Sequence, residues 1–361
     1  MDMQDTSGQT FTCGPLVREL LDMIGLFDRV QRRFHPAMIQ RHRETLHAKA
    51  RALEEVKKRL SSESPGLSDG PGCEAVLRAS ELVLQACGTF GASDDIQEGI
   101  FSAMRAMRKI CRAREILFDL RYVSPEIDGF FRETPRYRQQ GKSYSRREGD
   151  RIIHFGLKAD PYARGNASLF VPEPTGRSNP LSLVIALHGG FGHGRDFIWT
   201  WIREARTRGL LLMSPTSLGK TWGIESPEAD LECILGWLDK IAEDYPVDRS
   251  RTLLTGLSDG GTFALGCAML SSSPFSAYAP VSCVLPPGDV SRAAGRRIRW
   301  VHGLYDWMFP VDRARRGCAF LKEAGAEVVC RIVDDLAHAY PGEENGPILA
   351  WFDSGPALPA P

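Results

Sequence analysis

The sequence predicts an α/β domain with a mainly parallel sheet, preceded by an all-helical N-terminal domain. Three observations carry this reading. Up to about residue 122, apolar residues recur every three or four positions, the period of a helix face. From about residue 149, short β-like runs alternate with helical patterns, which implies right-handed crossovers and a sheet covered on both faces. Between them, a polar stretch rich in Arg and Tyr reads as a connector. The 361 residues thus divide into 1–122, 123–148 and 149–361.

The helical elements follow from periodicity and stop signals. Leu16, Leu20, Ile24, Phe27, Val30 and Phe34 line one face of a first helix, and His35-Pro36 ends it, because the residue before proline is pushed out of the α region. A second helix, about 37–60, carries Ile39, Leu46, Leu53 and Leu60 seven apart with Val56 between them. Its other faces are basic: from Arg29 to Arg59 there are ten Lys or Arg against three Glu. Such a face is either solvated and balanced by acids elsewhere in the fold, or a docking surface for an acidic partner or an anionic substrate. After a Ser/Gly/Pro-rich loop at 61–72, helices are expected at about 74–87 and 94–120. Ser93 is the expected N-cap of the latter, with Asp94 and Asp95 in its first turn. Ile96, Ile100, Met104, Met107 and Ile110 are expected on its buried face. This region carries no catalytic signature.

Strands are expected at 151–157, 167–171, 181–187, 210–213, 252–256, 277–284, 298–302 and 328–333. A helix at 228–243 is marked by Leu231, Ile234, Leu235, Leu238 and Ile241. Charge is balanced, 45 Lys plus Arg against 45 Asp plus Glu, so there is no general polyanion-binding field and no nucleic-acid role is expected. No run of 18 apolar residues exists, so no membrane span is expected. Residues 1–12 lack the basic and apolar regions of a secretory signal. The nine scattered cysteines contain no C-x-x-C pair and read as reduced thiols, which together with the leader's absence implies a cytoplasmic location.

The chemistry concentrates in four places. Gly256-Leu257-Ser258-Asp259-Gly260-Gly261 matches G-x-S-x-G directly after an apolar run and before a helical one, the turn in which a serine Oγ is presented above a sheet. A nucleophilic serine needs an imidazole base and a carboxylate to hold its tautomer. Asp306 follows a strand 48 residues later, and His338 lies 32 beyond it. Asp334 and Asp335 compete for the acid's role, but a carboxylate three or four residues from the histidine on one loop rarely faces its ring. His302 precedes Gly303 at a strand end, where a structural role fits. No H-E-x-x-H or similar spacing exists, so neither metal nor cofactor is expected. His188-Gly189-Gly190-Phe191-Gly192 is the fourth place, a glycine turn after a strand that frees backbone N–H groups for a developing oxyanion.

With these residues in view, the segment from about Arg151 to Phe352 resembles an α/β-hydrolase. The esterase group in question contains the phospholipase/carboxylesterase, polyhydroxybutyrate-depolymerase-like and dienelactone-hydrolase-like enzymes. The elbow GLSDGG, the segment HGLYDWMFPV and the late histidine carry the match over a little over half of the chain. The resemblance implies the α/β-hydrolase fold, with Ser258 as nucleophile, Asp306 as acid and His338 as base. It also implies an oxyanion hole from the N–H groups of Gly190, Phe191 and Asp259. Hydrolysis of a carboxylic ester of a small-molecule acyl substrate is the expected reaction. The same triad on a thioester, a polyketide or a carbon–carbon bond, or in acyl transfer, is the alternative, and a non-catalytic binding protein on this fold is the rival of another class.

Asp259 departs from the neutral residue that many relatives carry after the nucleophile. It is expected to point away, to pair with a cation or to bias the site toward neutral or cationic substrates. Trp222 and Trp307 sit on loops expected at the sheet's C-terminal edge and are candidates for lining the substrate pocket. The usual cap insertion after the sixth strand is absent, since 284–297 suffices only for a loop. The N-terminal helices are therefore expected to serve as a lid, as a dimer interface or as a docking site for a partner protein.

Overall fold

The computed structural model describes residues 13–63, 71–93, 95–133, 149–156, 160–173 and 180–355. Two compact units are present: Met1–Gln31 with Pro36–Phe131, and Arg32–His35 with Arg132–Pro361.

The first unit is helical: α1 (Gly14–Arg32), α2 (Ile39–Glu63), α3 (Pro71–Thr89), α4 (Ile96–Phe118) and α5 (Pro125–Phe130). The apolar stripe of α1 is buried from Leu16 to Val30. A 3-10 turn at Pro36–Met38 occupies the proline stop. On α2, Ile39, Leu46 and Leu53 are buried as the seven-residue spacing requires. Part of its basic face is balanced inside the unit, Lys49 by Glu19 at 2.8 Å and Lys57 by Glu81 at 3.0 Å.

Three expectations change here. The N-cap of α4 is Asp95, whose carboxylate accepts the Glu98 N–H at 2.8 Å, while Ser93 only supports Asp95; Asp94 lies outside the described residues. The buried face of α4 is Ala103, Ala106, Ile110, Ala113 and Leu117, and Ile96 is exposed. Alanines were passed over because their small side chains give a weak hydrophobic signal, yet they let helices approach closely and sit at the packed face. Finally, Cys13 and Cys73 form a disulfide with Cα atoms 6.0 Å apart. Reading all nine cysteines as reduced thiols was therefore wrong, and a cytoplasmic location loses that support. Scattered spacing hid the pair because helix packing, not sequence proximity, joins its members. Among the described residues, no helix is long and apolar enough to cross a membrane.

The second unit is an eight-stranded sheet of β1 (Arg151–Phe155), β2 (Ala167–Val171), β3 (Leu181–Leu187), β4 (Leu211–Pro215), β5 (Val247–Leu257), β6 (Ala277–Val281), β7 (Arg297–Gly303) and β8 (Glu327–Val333). The order is β1-β2-β4-β3-β5-β6-β7-β8. β2 pairs antiparallel with both β1 and β4, and every other pairing is parallel. Strands β2, β4 and β6 are buried along their whole length, as expected where helices cover both faces. The helices are α6 (Gly194–Phe197), α7 (Ile202–Arg208), α8 (Glu228–Asp244), α9 (Asp259–Ala268), α10 (Val311–Glu323) and α11 (Asn345–Asp353). The expected strand ends at Leu157 lie outside the described residues.

This topology places the chemistry. β3 and β5 are the two central strands, and the glycine turn follows one while Ser258 follows the other. Asp306 follows β7 and His338 follows β8. All four loops therefore leave the C-terminal ends of parallel strands, where open α/β sheets hold their ligands.

Candidate active site

Ser258 sits at φ +53°, a backbone conformation that L-residues rarely adopt. Glycine makes the turn possible: a Cβ at Gly256 would lie 2.5 Å from the Gly260 carbonyl carbon, and one at Gly260 would lie 2.5 Å from the His188 oxygen. The Ser258 N–H is pinned to the Val281 oxygen at 2.9 Å. The strand-to-helix turn is thereby held with its hydroxyl at the sheet edge.

His338 Nε2 lies 3.0 Å from Ser258 Oγ. His338 Nδ1 lies 3.0 and 2.9 Å from the two oxygens of Asp306. Since Asp306 accepts there, Nδ1 carries the proton and Nε2 is left to face the serine. Asp306 is itself held by the N–H groups of Met308 at 3.0 Å and Phe309 at 2.7 Å. Its side chain is fully buried. Buried charge is tolerable only with such partners. His302 approaches the same carboxylate at 3.5 Å and donates from Nε2 to the Phe309 oxygen at 2.8 Å. Burial lowers its pKa, so the ring is neutral and serves the loop structurally. Asp335 instead pairs with Arg32, at 2.7 Å.

The glycine turn is braced from behind. Ser217 N–H donates to His188 Nε2 at 3.1 Å, which leaves His188 Nδ1 to donate to the Gly189 oxygen at 2.6 Å. Arg164 donates to the Gly192 oxygen at 2.7 Å and to the Ser217 oxygen at 3.1 Å. Gly189 closely faces the nucleophile: a Cβ there would be 3.5 Å from Ser258 Cβ. Among the described residues the N–H groups of Gly190 and Asp259 have no hydrogen-bond acceptor, and the latter opens α9, where the first N–H groups lack intrahelical partners. Phe191 differs. At φ +58° its N–H donates to the Lys220 oxygen at 2.9 Å, so it is committed to loop structure and is not an open donor.

Two further expectations are corrected or refined. Trp222 is 2% exposed, donates its indole N–H to the His188 oxygen at 2.7 Å and stacks on Phe263. It is core, not pocket lining; a Trp on an edge loop can fold inward when its N–H finds a carbonyl. Trp307 packs beside His338, its ring 6.0 Å away in an edge-to-face arrangement. Asp259 neither points away nor pairs with a cation among the described residues. Its Oδ2 accepts from Thr221 Oγ1 at 2.5 Å and occupies space 2.7 Å from where a Gly190 Cβ would stand. A carboxylate thus borders the two open amides. Thr221, Arg164 and Phe309, whose ring lies 5.2 Å from that of His338, were invisible in the sequence because no spacing rule links them to the motifs.

No family model matches the chain. A curated relative, feruloyl esterase C of Emericella nidulans, is 28% identical over 153 residues, covering 40% of this chain and 56% of that protein. The chain thus spans a little over half the length of that relative. Solved structures similar to it include a thermostable esterase, 23% identical over 52% of this chain and 58% of that one, with a TM-score of 0.44. Another is esterase PE8, 17% identical over 50% of this chain and 95% of that one, with a TM-score of 0.41.

Proposed function

We propose that the chain is a serine hydrolase of the α/β-hydrolase kind that cleaves a carboxylic ester. The observation that carries the proposal is the continuous hydrogen-bonded line from Ser258 Oγ through His338 to Asp306. His338 Nε2 takes the hydroxyl proton as Oγ attacks the ester carbonyl, and Asp306 stabilises the imidazolium that results. The N–H groups of Gly190 and Asp259 receive the tetrahedral oxyanion. His338 then delivers the proton to the leaving alkoxide. Water attacks the acyl-enzyme with the same residue as base, and Ser258 Oγ departs with the proton returned to it.

The acyl group is apolar or aromatic. Phe191, Leu218, Tyr305 and Met308 are exposed large hydrophobic side chains, and each lies on one of the three loops that follow β3, β4 and β7. Solvent exposure of such side chains on the loops of one sheet edge fits a recognition surface better than chance scatter does. The 28% identity to a feruloyl esterase supports an aromatic acid ester among the candidates.

Ser258→Ala is expected to abolish both p-nitrophenyl ester hydrolysis and fluorophosphonate labelling with the fold retained by circular dichroism. Labelling that survives this change overturns the assignment. A substrate panel separates the chemistries that the fold shares: a methyl hydroxycinnamate, its thioester and a 1,3-diketone. The oxygen ester is expected to turn over fastest; preferential turnover of either other compound replaces ester hydrolysis as the reading.

A further inference from the structure

Four residues distant in sequence from the triad belong to its unit. Arg32–His35 groups with the α/β unit although helical residues precede and follow it. Its contacts converge on the loops that carry the base and the acid. The Arg32 carbonyl, left without an intrahelical partner where α1 ends, accepts the N–H of Ala337 at 3.1 Å, and Ala337 is the residue before His338. The Arg32 guanidinium spans that same loop, reaching Asp335 at 2.7 Å and Glu343 at 2.6 Å, with a further bond to the Asp335 carbonyl at 3.0 Å. Arg33 reaches the other Asp335 oxygen at 3.1 Å.

The acid's loop is held from the same segment. The Trp307 indole N–H donates to the Phe34 carbonyl at 2.9 Å, and the rings of Phe34 and His35 pack edge-on against the indole. The indole in turn packs edge-on against His338. Surface ion pairs are individually weak. Here, though, they act with two backbone carbonyl bonds, one reaching the neighbour of the base and the other the neighbour of the acid. The three nitrogens of the Arg32 guanidinium each take a different acceptor, a planar fork of fixed direction that a lysine ammonium would not supply.

We propose that Arg32–His35 is a positioning strap for the catalytic pair, with Arg32 fixing the His338 loop and Trp307 transmitting the Phe34 contact to the imidazole ring. Arg32 and Trp307 act through His338 and touch no reacting atom. The inference rests on the serine-hydrolase reading above. A misplacement of about 1 Å costs up to about a hundredfold in rate, so loss of the strap lowers kcat and leaves KM nearly unchanged.

The test compares Arg32→Ala, Arg32→Lys and Trp307→Phe with wild type, using p-nitrophenyl ester kinetics and the low-field proton NMR signal of the Asp306–His338 bond. Arg249→Ala, which removes a surface pair with Asp239 on the same unit at 2.7 Å, controls for generic charge loss. The expected result is a fall in kcat of about tenfold in Arg32→Ala, with KM within about twofold and the NMR signal broadened or lost. Arg32→Lys is expected to recover only part of the rate, and Trp307→Phe to lose severalfold because it keeps a ring but no donor. Should Arg32→Ala not fold, Arg32→Lys and Trp307→Phe decide. Unchanged kcat in the folded variants overturns the strap, as does reduced kcat with an intact NMR signal. Ser258→Ala keeps the two readings apart: if it still labels, the triad assignment fails, whereas lost labelling beside unaffected strap variants removes only the strap.

Discussion

Among the described residues, every buried carboxylate (Asp150, Glu204, Asp230, Asp306 and Glu344) and every buried imidazole (His188, His193 and His302) lies in the α/β unit, and none lies in the helical one. The helical unit buries alkyl and aromatic side chains and two arginines, Arg114 and Arg121, and keeps its acids outside. This difference is physical as well as descriptive. A buried charge costs stability unless it is paired, so a chain retains one where orientation or reactivity requires it. Among the described residues the helical unit buries charge only as guanidinium, in Arg114 and Arg121, whereas the α/β unit buries carboxylates, of which Asp306 is the one in contact with the proposed base.

The strongest way to break the comparison is to neutralise the buried acid of the proposed triad. Asp306→Asn keeps the shape of the side chain and can keep the Met308 and Phe309 N–H bonds, but its amide can hold His338 in the wrong tautomer. A loss of kcat of about 10³ to 10⁴-fold is expected with little change in KM. Steady-state ester hydrolysis measures it, and a loss below tenfold would return Asp306 to the structural class.

Next in size is stability. Asp150 and Arg206 form an ion pair whose side chains are 3% and 2% exposed. Arg206→Met removes that partner from a buried carboxylate, and about 3 to 5 kcal/mol of unfolding free energy should be lost. The surface pair of Lys57 with Glu81 in the helical unit is the contrast, and Lys57→Met should cost about 0 to 1 kcal/mol. Urea titrations of both variants would give equal losses if burial did not decide what an ion pair is worth.

Glu204 sharpens the same point through pH. Burial pushes its carboxyl up to about 7 from 4.5, opposed chiefly by a hydrogen bond from Asn345. A raised folded-state value means that the native state binds the proton more tightly than the unfolded chain does. The group's contribution is therefore complete below about pH 4.5 and is lost as pH rises through about 7. The loss amounts to about 3 kcal/mol above that window. Glu204→Gln should flatten the stability profile between these values and raise the melting temperature at pH 8, with little effect at pH 4.

How much of this was legible in the sequence follows from the same physics. All eight strands could be read because continuous apolar runs and glycine punctuation are local signals. That Ser258, Asp306 and His338, whose roles are proposed, would converge could be read because the elbow is a contiguous motif and the other two follow strands in a fixed order. What escaped was set by packing in three dimensions: the Cys13–Cys73 bond, the alanine face of α4, the inward turn of Trp222 and the commitment of the Phe191 amide to Lys220. Each depends on a partner far away in sequence or on a backbone bond that side-chain identity does not encode. Arg32 belongs with these, since nothing local relates the end of the first helix to a histidine some 300 residues later.

Asp259 is where the comparison bears on specificity. Unlike the buried acids it is half-exposed, and it borders the two amides proposed for the oxyanion, with Thr221 as its hydrogen-bond partner. Its charge therefore adds to the field a substrate meets without stabilising the oxyanion, and it repels an acyl group that is itself anionic. Asp259→Asn keeps an oxygen for the Thr221 hydroxyl and leaves the backbone N–H in place, so only charge is removed. The ratio of kcat/KM for an anionic acyl ester to that for its cationic counterpart should rise about five- to tenfold, equivalent to about 1 kcal/mol. Because the site is partly open, the effect should shrink as salt is raised from 0.01 to about 1 M. A ratio unmoved at low salt would mean that the carboxylate's role is confined to holding the Thr221 loop, and the selectivity of the site would then rest on its apolar rim.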